Sequence, residues 1–440
     1  MLNRISLRKT TLLSCAVACL AALPSLASAS TTYTTVTANW TGGSGDWTSA
    51  SDWSSAPYAP NNGTPADTVY NASIGSGANV TIAQGENINV DSVTATGALS
   101  INGTLNLAQP DNGGSSGLVT GKVNLGNLGV LENAEIDAPT ASNGSYNIGS
   151  TGGVGGTLRN VTLASNLTVT GNLNVDTLAS GVEGLVANGH VVNLQTGSMT
   201  FNGLPAGTAA TYNYDGVINL YAPYAAVQGG SGVVNFTRSA VINVLASGVS
   251  SVNAVGAEVN DGAINVGSSA VSGAQARIGL SRNNGSITAY SGDTADLYFP
   301  VNNGIFRALV GGTINMTGNT TPINAEFASG STFEVQLGSA GATGMLTVDG
   351  NLTLDSGAAI SLSQLAGTTF TTPYDIINYT GSLTGTFTDV TPGYVLDYTS
   401  HPGEILVTAV PEPAALAIFA LGLAGLGLCR RKNMKRNAAA

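Results

Sequence analysis

Only two histidines occur, His190 in NGHVVNL and His401 in TSHPGEIL, and neither lies at a spacing that pairs it with a second ligand. A zinc centre draws three or four ligands from His, Cys and carboxylate side chains, and the chain lacks an HExxH segment. Carboxylates are the remaining chemistry. A glycosidase sets two of them across the scissile bond, and pairs drawn from Asp293, Asp296, Glu326 and Glu334 would supply them. A polysaccharide lyase needs acids clustered for calcium and a basic side chain, for which Asp293 and Asp296, in DTAD, near Arg307 are the candidate neighbourhood. Single acids between strands more often serve as solubilising surface, so the sequence predicts no catalytic residue, no metal and no other cofactor.

Other chemistries leave no trace. There is no GxxxxGK[ST] loop and no GxSxG elbow, and GGSGDW and QGGSGVVNF break the spacing of calcium-binding nonapeptides. Threonine pairs stand at Thr35 and Thr37, Thr94 and Thr96, and Thr168 and Thr170. A flat face of aligned threonines would bind ice or sugar by shape, which makes an ice-binding solenoid a further reading, although three scattered pairs fall short of an array.

The elements that position these side chains follow from composition. Of 440 residues only 9% are charged, 58 are glycine and 43% are hydrophobic. Strong helix formers are scarce while Thr, Val, Asn and Gly abound, which favours strands broken by turns. Between Ser30 and Val410 there are 24 carboxylates against the six bases Lys122, Arg159, Arg238, Arg277, Arg282 and Arg307, a net of −18. A surface of that sign repels phosphate backbones and excludes nucleic acid as a partner. Cys15, Cys19 and Cys429 all fall near the ends, so no disulfide or thiolate metal site is available in the intervening body.

Within the body one pattern returns: Gly, any residue, an aliphatic, Asn, an aliphatic. It occurs at Gly103, Gly121, Gly171, Gly216, Gly232, Gly262 and Gly312, with a Thr variant at Gly350. The two aliphatics point to one side of a strand and the Asn to the other. Such a strand cannot bury its apolar side alone, but copies stacked in parallel would share one core, which predicts a right-handed parallel β-helix, or β-solenoid, whose open ends need caps. Trp40, Trp47 and Trp53, the only tryptophans, read as a plug over the first rung, with sugar stacking as the sharper alternative. Phe370, Tyr374, Tyr379, Phe387, Tyr394 and Tyr398 gather at the far end and predict a broader cap of antiparallel strands.

The termini read as addresses. Residues 1–29 have a basic start, an apolar stretch and the small residues Ala27, Ser28 and Ala29, the pattern of a secretory signal peptide cut after Ala29. The predicted division is then 30–90 for the N-terminal cap and first rungs, 91–345 for the solenoid, 346–409 for the last rungs and cap, and 410–440 for a tail. Residues 414–429 form an apolar run of about 24 Å if helical, followed by CRRKNMKR, an order that predicts a transmembrane helix with its basic end inside and the body outside.

That tail resembles the PEP-CTERM sorting signal, with Pro411, Glu412 and Pro413, then the apolar run, then Arg430, Arg431 and Lys432. The resemblance implies processing by an exosortase, a membrane enzyme of Gram-negative bacteria that make extracellular polysaccharide. It also implies an exported protein of the cell envelope, surface or matrix, held in the membrane at least transiently and associated with exopolysaccharide. The body is similar to the β-helical passengers of autotransporters, though no membrane barrel follows. The expected function is structural or adhesive, the alternatives being a β-helical lyase or glycosidase and an ice-binding solenoid.

Overall fold

The computed structural model describes residues 32–410 apart from 110–114, 138–144, 150–154, 178–183, 204–209, 248–251, 300, 319–321 and 368–372. These residues are all-β, with one 3-10 turn at Ala50–Asp52. Strands form one 29-stranded and one 11-stranded sheet, and almost every pairing is parallel. The order of pairing explains the sheets. Thr34–Asn39 pairs with Thr68–Ile74, and Ser44–Asp46 with Asn79–Ile82. Ser92–Ile101 then pairs with both, its first half on Thr68–Ile74 and its second on Asn79–Ile82. Asn87–Asn89 pairs with Thr104–Asn106 in a third line, so the chain returns to the same three lines of strands, which we term the first, second and third faces in chain order. The arrangement is one of long parallel sheets compatible with a β-solenoid.

Parallel pairing already exists at Thr34 and continues to Asp389–Val390, which lies on Ala359–Gln364. It therefore extends beyond residues 91–345 on both sides. The strand motif works as its alternation predicts. Ile218 and Leu220, like Ile264 and Val266, are fully buried, while Asn219 and Asn265 between them lie at the surface, half-buried. Each such side chain contributes about 1.5–3 kcal/mol on burial, and one cluster of buried side chains runs from Ala38 to Val407. The motif falls on all three faces: Asn106 and Asn174 on the third, Asn235 on the first, Asn219 and Asn265 on the second. Its irregular spacing in sequence follows, since it marks a strand leaving a corner and not one fixed place in each turn of the coil. Its glycine answers to crowding there. A Cβ on Gly262 would stand 2.3 Å from the Ala240 carbonyl oxygen of the coil below.

Toward the C-terminus aromatic rings fill the interior. Phe299, Phe306 and Phe327 stack edge to face with centroids 6.1 and 5.4 Å apart, and Phe327 meets Phe387 at 6.1 Å. Parallel pairing then gives way: Glu404–Ala409 lies antiparallel between Tyr374–Tyr379 and Tyr394–Asp397. Tyr374 is buried with its hydroxyl donating to the Gly338 carbonyl at 2.9 Å, and Tyr379, Tyr394 and Tyr398 pack against the core. Phe370 lies outside the described residues.

At the other end Trp47 and Trp53 are buried, with centroids 4.8 Å apart, and Trp40 meets Trp53 edge to face at 5.1 Å. Their indole N–H groups donate to carbonyls of Pro60, Trp47 and Gly43. Rings so enclosed present no open face on which a sugar could stack.

Candidate functional site

The carboxylates singled out for catalysis are dispersed by the fold. Asp296 lies on the third face, where it accepts from Asn315 Nδ2 at 2.9 Å. Glu326 lies on the first face. Arg307 and Glu334 are neighbours on the second and form an ion pair with each other. Asp293 sits in the corner between the second and third faces, fully buried, with Oδ1 accepting from the Ala274 N–H at 2.7 Å. Its Oδ2 has no partner and lies over Gly267, where a Cβ would come within 1.6 Å of it. Burial holds this carboxyl above the usual carboxylate range, against the opposing pull of backbone N–H groups of Ala274 and Gly273. Asp296, Glu326 and Glu334 thus stand on three different faces, and Asp293 is buried at a corner.

The histidines are equally separate. His190 closes a turn before Val191–Thr196, and His401 lies in the turn before Glu404–Ala409. Among the described residues no group of three or more His, Cys, Asp or Glu side chains is placed to hold a metal ion. The threonine pairs do not align either, since Thr35 and Thr37 belong to the first face and Thr168 and Thr170 to the second.

What the fold does build is a set of asparagine ladders. On the second face Asn193, Asn219, Asn243 and Asn265 occupy one column, and the Nδ2 of Asn219, Asn243 and Asn265 each donates to the Oδ1 of the asparagine in the coil below at 2.9 Å. Thr168 continues that column on one side and Thr288 on the other. It is flanked by half-buried Val191, Val217 and Val241. The face is therefore an uncharged strip of aligned amides beside an aliphatic row. Further along the same column Arg307 and Glu334 replace the amides.

A second ladder is internal. Asn260, Asn283 and Asn302 are fully buried at the corner between the first and second faces. Asn260 Nδ2 donates to Asn283 Oδ1 at 2.7 Å, and Asn283 Nδ2 to Asn302 Oδ1 at 2.8 Å. Asn283 and Asn302 Nδ2 also reach the carbonyls of Gly285 and Gly304, and the Oδ1 atoms of Asn260 and Asn302 accept from the N–H groups of Gly262 and Gly304. The sequence carried a signal for this ladder that composition obscures: Asn260-Asp261-Gly262, Asn283-Asn284-Gly285 and Asn302-Asn303-Gly304 repeat one tripeptide. A charged counterpart lies on the third face, where Arg159 bridges Glu132 at 3.0 Å and Asp176 at 3.2 Å. Such partly exposed pairs are worth little individually.

The body ends where the tail begins. Val410 is exposed, and its N–H donates to the Gly393 carbonyl at 2.9 Å. Ala27 and Ala29, Pro411, Glu412 and Pro413, the 414–429 run, and Arg430, Arg431 and Lys432 lie outside the described residues. Among the described residues no helix is long and apolar enough to cross a membrane.

Compared with known families, residues 409–432 match the PEP-CTERM protein-sorting motif, a span that includes the Pro-Glu-Pro triplet and the basic cluster. No curated protein matches the chain. The motif supports export, sorting by an exosortase, and a location at the cell envelope or surface.

Proposed function

We propose that this is an exported structural and adhesive protein of the cell surface or extracellular matrix, delivered through its C-terminal signal and associated with exopolysaccharide. The observation that carries the reading is the position of the matched motif, which starts at Ala409, the last residue of the strand Glu404–Ala409 that ends the folded body. The tail is thus a separate module joined to a finished domain. In this reading residues 414–429 cross the membrane of a Gram-negative cell, Arg430, Arg431 and Lys432 hold the inner side, and an exosortase acts at Pro411, Glu412 and Pro413.

The body is a right-handed parallel β-helix, similar to an autotransporter passenger, that works as a scaffold and not as an enzyme. Two features support this: the long parallel sheets give a rigid repeating surface, and the acids that would serve a lyase or glycosidase stand on different faces. Surface labelling of an epitope-tagged chain, with and without residues 411–440, tests the sorting role. The expected result is display that is lost on deletion; equal display of both forms would overturn it.

A further inference from the structure

Along the corner where the second face turns into the third, one column of side chains points outward beside the asparagine ladder. One position beyond the registered strand pairs, it comprises Tyr221, Leu245, Gly267, Tyr290, Leu309 and Gln336. The backbone bonds from Leu245 to Leu220, Tyr290 to Val266 and Leu309 to Ala289 fix that alignment. Tyr221 is 42% exposed and Tyr224, in the same corner, 67%. Leu128 and Leu365, two more of the exposed large apolar side chains, belong to the same edge. Four of the eight exposed large apolar side chains among the described residues thus lie along one edge of the coil, and exposed apolar surface gathered in one place marks interaction surfaces.

The column opens into a groove of about 490 Å³. Tyr290, Leu309, Val310 and Leu365 supply its apolar walls, while Ser268, Ser269, Ser272, Ser291 and Gln336 supply uncharged hydrogen-bonding groups. No charged side chain lines it. The gap in the column at Gly267 is enforced by the next coil, because the backbone there has φ +81° and the buried Asp293 carboxylate fills the space of a Cβ. Successive coils stand about 4.8 Å apart, so Tyr221 to Gln336 spans roughly 24 Å, the reach of an extended chain and not of a single small molecule.

We propose that this groove and the tyrosine-leucine column leading into it bind a linear, neutral polysaccharide lying parallel to the coil axis. The ligand class follows from the lining. Apolar walls suit the C–H faces of pyranose rings, hydroxyls and the Gln336 amide suit their hydroxyl edges, and the absence of charge leaves nothing to pair with a uronate or sulfate. The surrounding net charge of −18 between Ser30 and Val410 repels polyanions as well. This assignment rests on the reading of the body as a matrix component and adds to it a location and a ligand class.

The test is affinity electrophoresis of the detergent-solubilised full chain in native gels cast with hydroxyethyl cellulose, laminarin or dextran, and with alginate as the anionic comparator. Retardation by at least one neutral glycan and none by alginate is expected. Tyr290→Ala should weaken that retardation roughly tenfold, and Ser269→Trp, at an exposed position that needs no core rearrangement, should weaken it at least as much by filling the groove. Tyr58→Ala, at an exposed tyrosine far from the groove, should leave it unchanged. Retardation by no neutral glycan, equal or stronger retardation by alginate, or indifference to both groove variants would overturn the proposal. So would concentration-dependent dimerisation that Ser269→Trp abolishes in the absence of glycan binding, which would assign the groove to a second copy. Because the gel reads ligand binding by purified protein, a failure there is distinct from a failure of sorting, which appears only in the surface-display experiment.

Discussion

Two asparagine ladders in this protein use the same amide-to-amide bond in opposite surroundings. At the corner of Asn260, Asn283 and Asn302 the side chains are fully buried, and their remaining donors and acceptors turn to backbone groups of Gly262, Gly285 and Gly304. On the second face, Asn193, Asn219, Asn243 and Asn265 are half-exposed and spend one donor and one acceptor per rung on each other. An amide offers two donors and two acceptor lone pairs. The internal ladder consumes that capacity in shaping a turn, whereas the external one keeps half of it at the surface. Equal chemistry thus serves cohesion in one place and leaves hydrogen-bonding capacity facing solvent in the other, and burial decides which.

The contrast is sharpest where a charge replaces an amide. Asn283→Asp should cost about 3–5 kcal/mol at neutral pH, the scale for an uncompensated buried charge, as read from denaturant unfolding. The introduced carboxyl would have a folded-state pKa above its unfolded value, so the native state binds the extra proton more readily. Stability should then recover as pH falls through that raised pKa; a loss independent of pH would break the argument.

Next in size is Asn283→Ala, which removes the acceptor of Asn260 Nδ2 and one of the two donors to Asn302 Oδ1, the Gly304 N–H remaining; it should cost about 2–4 kcal/mol, the lower part of the range for two buried groups at about 1–3 kcal/mol each. Asp293→Asn tests a third buried polar side chain, this one incompletely satisfied. Because burial raises the Asp293 pKa, wild-type stability should gain from this group as pH drops toward the ordinary carboxylate range. The variant, uncharged throughout, should be more stable than wild type at pH 7, with the advantage shrinking in acid. Smallest of all, Asn243→Ala on the external ladder should change stability by less than about 1 kcal/mol. A loss there as large as at Asn283 would erase the distinction between the two ladders.

How much of this could be read from the chain differs by level. The pairs Ile218 and Leu220 or Ile264 and Val266 were legible because alternation within a strand is local. The face on which each strand lies was not, since the corners between strands vary in length. For the same reason Asp293, Asp296, Glu326 and Glu334, close enough in sequence to suggest a centre, are parted by the corners between them. The column of Tyr221, Leu245, Tyr290 and Leu309 is invisible in sequence, because its members become neighbours only when coils stack. Asn260, Asn283 and Asn302 stood in plain repetition, but an Asn before a Gly reads first as a turn, and nothing local says that its side chain is buried. The tail shows the reverse case: its order of triplet, apolar run and basic cluster lies within one short segment, and there sequence alone was sufficient to find the motif.

The strand Glu404–Ala409 is hydrogen-bonded along both edges, to Tyr374–Tyr379 on one side and Tyr394–Asp397 on the other. Mechanically, it is a joint secured twice. A pull applied at Val410 would be shared between two ladders, so that it must shear both before the last coil begins to unwind.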